Sequence, residues 1–223
     1  MSSAMFRTKR PKPITVSVLL AVVVCTPAAM LCACASSKPA ADRASPDESL
    51  RRAMNLAASA QQAHVSGNFT KAIDLNKQSI AINGELGGVW NNLGISLMSR
   101  GKDLDFLEAS QAFKRAADLL PGDERPYENL GVLYHDRGFD DDALRYFTLA
   151  LERNPNALRS LRGAVGAAKG LLLSDDAGLE RTKRALLIET DPAWREIFEF
   201  ERLRVQQDLA DKGRDSRRSG AAE

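Results

Sequence analysis

From position 50 onward, apolar residues recur at helical rather than strand spacing. Pairs such as Leu93 and Leu97, or Leu130 and Tyr134, lie one helical turn apart. Sustained apolar–polar alternation is missing and β-branched residues are sparse, so the pattern predicts an all-helical body. The pattern also repeats. Trp90-x-x-Leu93-Gly94-x-x-Leu97 is followed by Ala109-x-x-x-Phe113 and Pro121. The same order returns as Tyr127-x-x-Leu130-Gly131-x-x-Tyr134, Ala143-x-x-x-Phe147 and Pro155. Ala109 to Ala143, Phe113 to Phe147 and Pro121 to Pro155 are each 34 residues, while Gly94 to Gly131 is 37. Three extra residues are therefore expected around Asp103 to Asp105, looping outward from the turn between two helices and disturbing neither.

Fainter copies flank these two. Gly67-Asn68-Phe69 and Ala72 match a turn and second helix upstream, with Leu56, Ala60 and Ala63 in the first helix, Asn76 in place of the aromatic and Gly84 in place of the proline. Downstream, Leu161, Ala164, Val165 and Ala168 suit another first helix; Glu180 and Arg184 fall where Ala and an aromatic are expected, and Pro192 closes the unit.

The large, Leu-Gly, Ala-Phe and Pro signposts resemble the tetratricopeptide repeat. The resemblance covers residues 53–192 and implies an all-α solenoid of three to four helix-turn-helix repeats, at 53–86, 87–123, 124–157 and a degenerate 158–192. Gly94 and Gly131 each cost a helix about 1 kcal/mol relative to Ala, so each needs a close helix–helix contact as its reason. Residues 193–212, with Trp194, Ile197, Phe198, Phe200, Leu203, Val205 and Leu209 among charges, read as a capping helix over the last repeat. A partner-binding amphipathic helix is the alternative. Residues 213–223 carry no apolar stripe and are expected to be disordered.

Composition matters chiefly at the N-terminus. Net charge is +2, but Arg7, Lys9, Arg10 and Lys12 precede residue 13, leaving 27 Lys and Arg against 29 Asp and Glu elsewhere. That balance gives no electrostatic case for nucleic acid. Behind the basic start, Ile14 to Leu31 is uncharged, the plan of a signal peptide over residues 1–33. An uncleaved anchor and a secreted, unlipidated product remain as alternatives. All three cysteines, Cys25, Cys32 and Cys34, fall before residue 35, so the body holds no disulfide and no thiolate metal site. Leu31-Cys32-Ala33-Cys34 resembles the lipobox of bacterial lipoproteins, which implies lipidation of Cys34. Several buried acyl chains, at about 0.8 kcal/mol per methylene, would hold the chain on a membrane essentially permanently. Ala35 and not Asp directly follows Cys34, which by the same resemblance favours an outer membrane facing the periplasm. Residues 34–49, small and polar with two prolines, read as a disordered tether.

No motif of nucleophilic, phosphate-cradling or metalloprotease chemistry occurs, and no cofactor or metal is expected. Asp140-Asp141-Asp142 and Asp175-Asp176 suit helix N-termini, where carboxylates favour the helix dipole. What remains is the concave groove that the resemblance implies along the first helices. Its candidates are Met54, Gln61 and His64, then Asn91, Ile95 and Met98, then Arg125, Glu128, Val132 and His135, and finally Arg159, Arg162 and Lys169. One end is apolar and the other basic, which suits a peptide or protein segment with an acidic or carboxylate end. The competing reading is a solvated face of local ion pairs.

The resemblance as a whole implies a membrane-anchored interaction scaffold of the cell envelope rather than an enzyme. Its layout is similar to tetratricopeptide lipoproteins of tight-adherence and type IV pilus systems, which act in assembly of such machines. A passive spacer, a self-assembly module and an envelope enzyme without a recognisable motif are the alternatives.

Overall fold

A computed structural model describes residues 45–220, with side chains through 217. The signal at 1–33, Cys34, the tether up to residue 44 and residues 221–223 lie outside the described residues. Among the described residues there are nine helices and no strand: α1 (Pro46–Val65), α2 (Phe69–Ile82), α3 (Gly87–Arg100), α4 (Asp105–Leu119), α5 (Arg125–His135), α6 (Asp140–Arg153), α7 (Leu158–Gly170), α8 (Asp176–Ile188) and α9 (Pro192–Gly220). They form four hairpins and a final helix. The backbones of odd-numbered neighbours approach closely, α1 with α3, α3 with α5 and α5 with α7, whereas those of α2, α4, α6 and α8 stay apart, and Lys77 of α2 reaches Glu108 of α4 only through its side chain. The odd helices therefore line the inside of a curve and the even ones fan out on its outside. The chain is an all-α tetratricopeptide solenoid.

Local chemistry sets the ends of the helices. Ser45 Oγ accepts from Glu48 N at 3.2 Å, with Pro46 in the first turn and Asp47 and Glu48 behind it. Helix α1 thus starts inside the stretch expected to be tether, because Ser-Pro-Asp-Glu is a helix start. Asn68 and Asp175 cap α2 and α8 in the same way, accepting from Lys71 N and Gly178 N. Gly67 and Gly138 turn the first and third hairpins at φ +77° and +76°, where a Cβ is disfavoured. Leu172 holds the matching place in the fourth at φ +53°.

Packing gives the helical glycines their reason. A Cβ on Gly94 would lie 2.5 Å from the Phe113 ring, and one on Gly131 would lie 2.6 Å from Phe147. Phe147 also meets α7, where a Cβ on Gly163 would come within 2.2 Å of it. Phe113 and Phe147 are fully buried, with Leu93, Leu97 and Leu130 around the former and Ala143, Ala164 and Ala167 around the latter.

The outer units depart from this plan. In the first, Asn76 is buried where the aromatic would be, its Oδ1 without a partner. In the fourth, the buried positions of α8 are Thr182 and Ala185, which follow Phe147 and Ala150 by 35 residues, while Glu180 and Arg184 are exposed. The expected register was therefore two residues out: Thr182 replaces the aromatic and Val165 replaces the glycine facing it. Helix α9 restores the lost volume. Its Phe198 is fully buried against Leu161, Val165 and Ala185, with Trp194 beside it. The capping role holds, but only for one face: Phe198, Glu201 and Val205 are buried, while Ile197, Phe200 and Leu203 are exposed. The helix also continues to Gly220 rather than ending near 212. Lys212 Nζ donates to Ser174 O, and Arg217 Nε donates to Gly213 O.

The three extra residues do not loop out. The α3–α4 and α5–α6 turns each span four residues, and the surplus is spent on a longer α3 and an earlier start of α4. Asp105 is only 4% exposed. It takes two hydrogen bonds from Arg100, at 2.9 and 2.6 Å, and one from Lys102 N. Arg100 holds this carboxyl below its ordinary value. Deleting 103–105 would break α4 at its start, contrary to the expectation from spacing.

Gly131→Ala is expected to destabilise the protein by about 1–3 kcal/mol, because the Phe147 ring cannot retreat with α7 behind it. Gly88→Ala, where a Cβ meets nothing within 4 Å, is expected to be neutral or to stabilise by up to about 1 kcal/mol. Urea midpoints of the two variants measure the difference.

Candidate functional site

The expected groove residues lie in order along α1, α3, α5 and α7, the helices of the inner side. At the α3 end, Ile95 and Met98 are half-buried and pack on the core containing Leu97 and Leu133. Met54 and Gln61 on α1 are exposed, and Val132 on α5 is half-buried. His64 and His135 do hold matching places, since the carbonyl of each accepts the N–H of the turn glycine that follows, Gly67 and Gly138. Their side chains differ in partner. His64 Nδ1 lies 3.3 Å from Ser96 Oγ, whereas His135 Nδ1 donates to Asp140 Oδ1 at 2.6 Å.

A chain of polar side chains crosses the middle of the face. Asn129 Nδ2 donates to Asn91 Oδ1 at 2.9 Å, both side chains buried. Arg159 Nη1 donates to Asn129 Oδ1 at 3.3 Å and to Glu128 Oε1 at 3.1 Å. Ser160 Oγ donates to Glu128 Oε2 at 2.8 Å. These bonds stitch α3 to α5 and α5 to α7, and Asn91 is a strut within them more than an open contact.

The four expected cations are all paired inside the chain. Arg125 makes a forked contact with Asp123, Arg159 meets Glu128, and Lys169 Nζ lies 3.7 Å from Glu201. Arg162 reaches off the groove to Glu189, donating at 2.7 and 2.8 Å, and its guanidinium lies 4.8 Å from the centre of the Trp194 ring. Glu189 has a side-chain exposure of 1% and also accepts from Thr190 N and Asp191 N, so Arg162 is a clasp between α7 and the α8–α9 turn. The ion-pair reading thus describes the rest state of this face. Arg159 and Lys169, each 58% exposed, remain within reach of a ligand.

Sequence reasoning found the cations and Glu128, and missed the other partners. Glu201 was legible as a carboxylate between Phe198 and Val205 on the apolar face of α9. Asp123 and Glu189 carried no such signal, because they sit in turns. Among the described residues no group of three or more His, Cys, Asp or Glu is placed to hold a metal ion.

The Arg162 hydrogen bonds lower the Glu189 carboxyl to about 2 from an ordinary 4.5, against an opposing push from burial. A carboxyl depressed in the folded state stabilises fully above pH 4.5, and this contribution is lost as pH falls through about 2. Glu189→Gln is therefore expected to lower stability at pH 7 and to flatten its loss between pH 4.5 and 2. Urea midpoints across that range check it; parallel curves for variant and parent would contradict the clasp.

Comparison with known proteins bears on the fold. No family model matches the chain. BBSome complex member bbs-4 of Caenorhabditis elegans is 30% identical over 126 residues, which are 54% of this chain and 26% of that protein. The chain thus spans about a quarter of the length of the curated relative it matches. Among solved structures, MamA superposes with a TM-score of 0.56 at 20% identity, over 63% of this chain and 86% of the other. The first tetratricopeptide domain of Spaghetti (RPAP3), solved with the HSP90 peptide SRMEEVD, gives 0.51 at 15% identity, over 55% and 98%. At such identities the likeness is one of fold, and the fold shared is the tetratricopeptide solenoid.

Proposed function

We propose that the chain is a protein-interaction scaffold of the bacterial cell envelope, taking a segment of a partner protein along its concave face. The observation that carries this reading is the face itself: four helices present half-buried Ile95 and Met98 at one end and the exposed cations Arg159 and Lys169 at the other. A neighbour of the same fold holds the acidic peptide SRMEEVD, which supports a protein ligand with an acidic end. Because Arg159 and Lys169 already have carboxylate partners, such a ligand exchanges one ion pair for another. The electrostatic gain is modest, and the apolar end supplies most of the affinity.

Attachment to a membrane belongs to the same proposal and rests on Leu31-Cys32-Ala33-Cys34 and the basic, then apolar, residues before it. No helix among the described residues is long and apolar enough to cross a membrane, and residues 14–31 lie outside them. The reading is of a lipidated N-terminus at Cys34, export across the inner membrane, and a place at the outer membrane where the organism has one. Assembly of a secretion or pilus machine is a role that only the likeness of layout to tetratricopeptide lipoproteins suggests.

Cys34→Ser is expected to block processing or to release the protein from the membrane fraction. Unchanged maturation and fractionation would favour an uncleaved anchor.

Capture from solubilised membranes with the full chain as bait is expected to retain an envelope protein. Ile95→Glu with Met98→Glu is expected to reduce its retention at least tenfold, and Arg159→Glu with Lys169→Glu severalfold. Arg162 is unsuited to this test, since reversing it leaves the buried Glu189 carboxylate without its cation. Retention that survives both pairs of changes but is lost in Phe200→Glu would move the site to the exposed face of α9.

A further inference from the structure

The fan of even-numbered helices leaves a wedge between α6 and α8, away from the concave face. There a cavity of about 290 Å³ opens, walled by Leu151, Pro155, Leu161 and Ala177. Arg181 and Arg184 line it as well, with Glu152 and Glu180 beside them. In the preceding hairpin the place of Arg181 belongs to Tyr146, 35 residues earlier, which is buried and stacks on Tyr134 at 5.3 Å. Here a guanidinium occupies it instead.

That guanidinium is under-partnered. Its side chain is 15% exposed, and its Nε is buried without a hydrogen-bond partner. Its ion partner, Asp175, lies 3.8 Å away, beyond hydrogen-bond reach, and is 53% exposed. The N–H groups of a guanidinium match a carboxylate, and because Arg181 Nε is closed off, such a ligand meets the Nη groups, whose one ion partner stands beyond hydrogen-bond reach. The contrast within the molecule is sharp: Arg125, Arg159 and Arg162 all donate to a carboxylate at hydrogen-bonding distance, and Arg181 does not.

We propose that this cavity is a second binding site, for a carboxylate on a short apolar body of about the size of one large side chain. The carboxylate lies on Arg181, the body rests on Leu151, Pro155 and Leu161, and Arg184 at the rim adds a second positive charge. Glu152 and Glu180 oppose an anion and exclude ligands with more than one negative charge. Burial lowers the pKa of Arg181, consistent with a cation that its surroundings do not fully compensate. This chemistry occurs in a free small acid and at the C-terminal residue of a polypeptide. The site is separate from the concave face and does not depend on what binds there.

Full-length protein with ¹⁵N-labelled arginine tests it, with the Arg181 Nε signal assigned by its loss in Arg181→Lys. Hexanoate and N-acetyl-leucine represent the two sources, and hexanamide and N-acetyl-leucinamide are the uncharged controls. The acids are expected to shift the Arg181 signal saturably, with dissociation constants of about 1 mM, as suits ligands of this size. Tighter binding of hexanoate identifies a free acid, and tighter binding of N-acetyl-leucine a chain end. Arg184→Gln is expected to weaken binding about threefold, and Leu151→Trp to abolish it with the helical circular-dichroism spectrum retained. The proposal is overturned if neither acid produces a saturable shift up to about 20 mM, if the amides shift the signal equally, or if Leu151→Trp binds as the parent does.

Discussion

The solenoid depends on a phenylalanine ring lying where a helix has no side chain. Phe113 rests on Gly94 and Phe147 on Gly131, and in each case a Cβ would come within 2.6 Å of the ring. Each contact sets the separation of two helices within a hairpin. Phe147 does more, because it reaches Gly163 on α7 and so fixes the distance between one hairpin and the next. A solenoid has no contacts between distant parts of its chain, so its stability is close to a sum of such local terms. An error at Phe147 is therefore felt by both of its neighbours.

The ends obey the same constraint with other residues. At the fourth hairpin a Val165–Thr182 pair takes the place of Gly and Phe, moving bulk from one helix to the other, and Phe198 of α9 fills what the smaller Thr182 leaves. Arg162 and Glu189 then bind the turn before α9 to α7, so the capping helix is held by both packing and charge. The first hairpin has no such repair. Asn76 occupies the aromatic's place with an unpaired Oδ1, a local cost that no neighbouring helix relieves.

The sequence revealed most where residues repeat and least where they do not. Trp90 to Pro121 and Tyr127 to Pro155 identified the fold because each signpost corresponds to a contact the fold cannot omit. The placement of the extra residues went astray because a difference in spacing says how many residues are added and not whether they lengthen helices or a loop. Arg100 and Asp105 decided it, since a bidentate pair one turn apart closes the longer hairpin. The register of α8 differs for a related reason: Pro192 does not close the unit 37 residues after Pro155 but, as Asp191-Pro192 also suggests, opens α9. For the concave face, the types and order of residues were legible and their occupancy was not. An exposed arginine in a sequence carries no sign that Asp123 or Glu189 will meet it from a turn.

Curvature gives the molecule two unlike surfaces from one packing rule. On the inside, odd helices approach closely enough for polar side chains to satisfy one another, as Asn91, Asn129, Arg159 and Glu128 do. Recognition there must proceed by exchange, so it favours long ligands that replace several weak contacts at once. On the outside, even helices diverge and only long side chains close the wedges, as Lys77 does in reaching Glu108. Tyr146 fills its wedge with a ring stacked on Tyr134. Arg181, the residue in the matching position, brings a charge that Asp175 at 3.8 Å compensates only in part, and the wedge stays open beside it. The inner face is thus suited to extended segments, while a wedge of about 290 Å³ suits one small group.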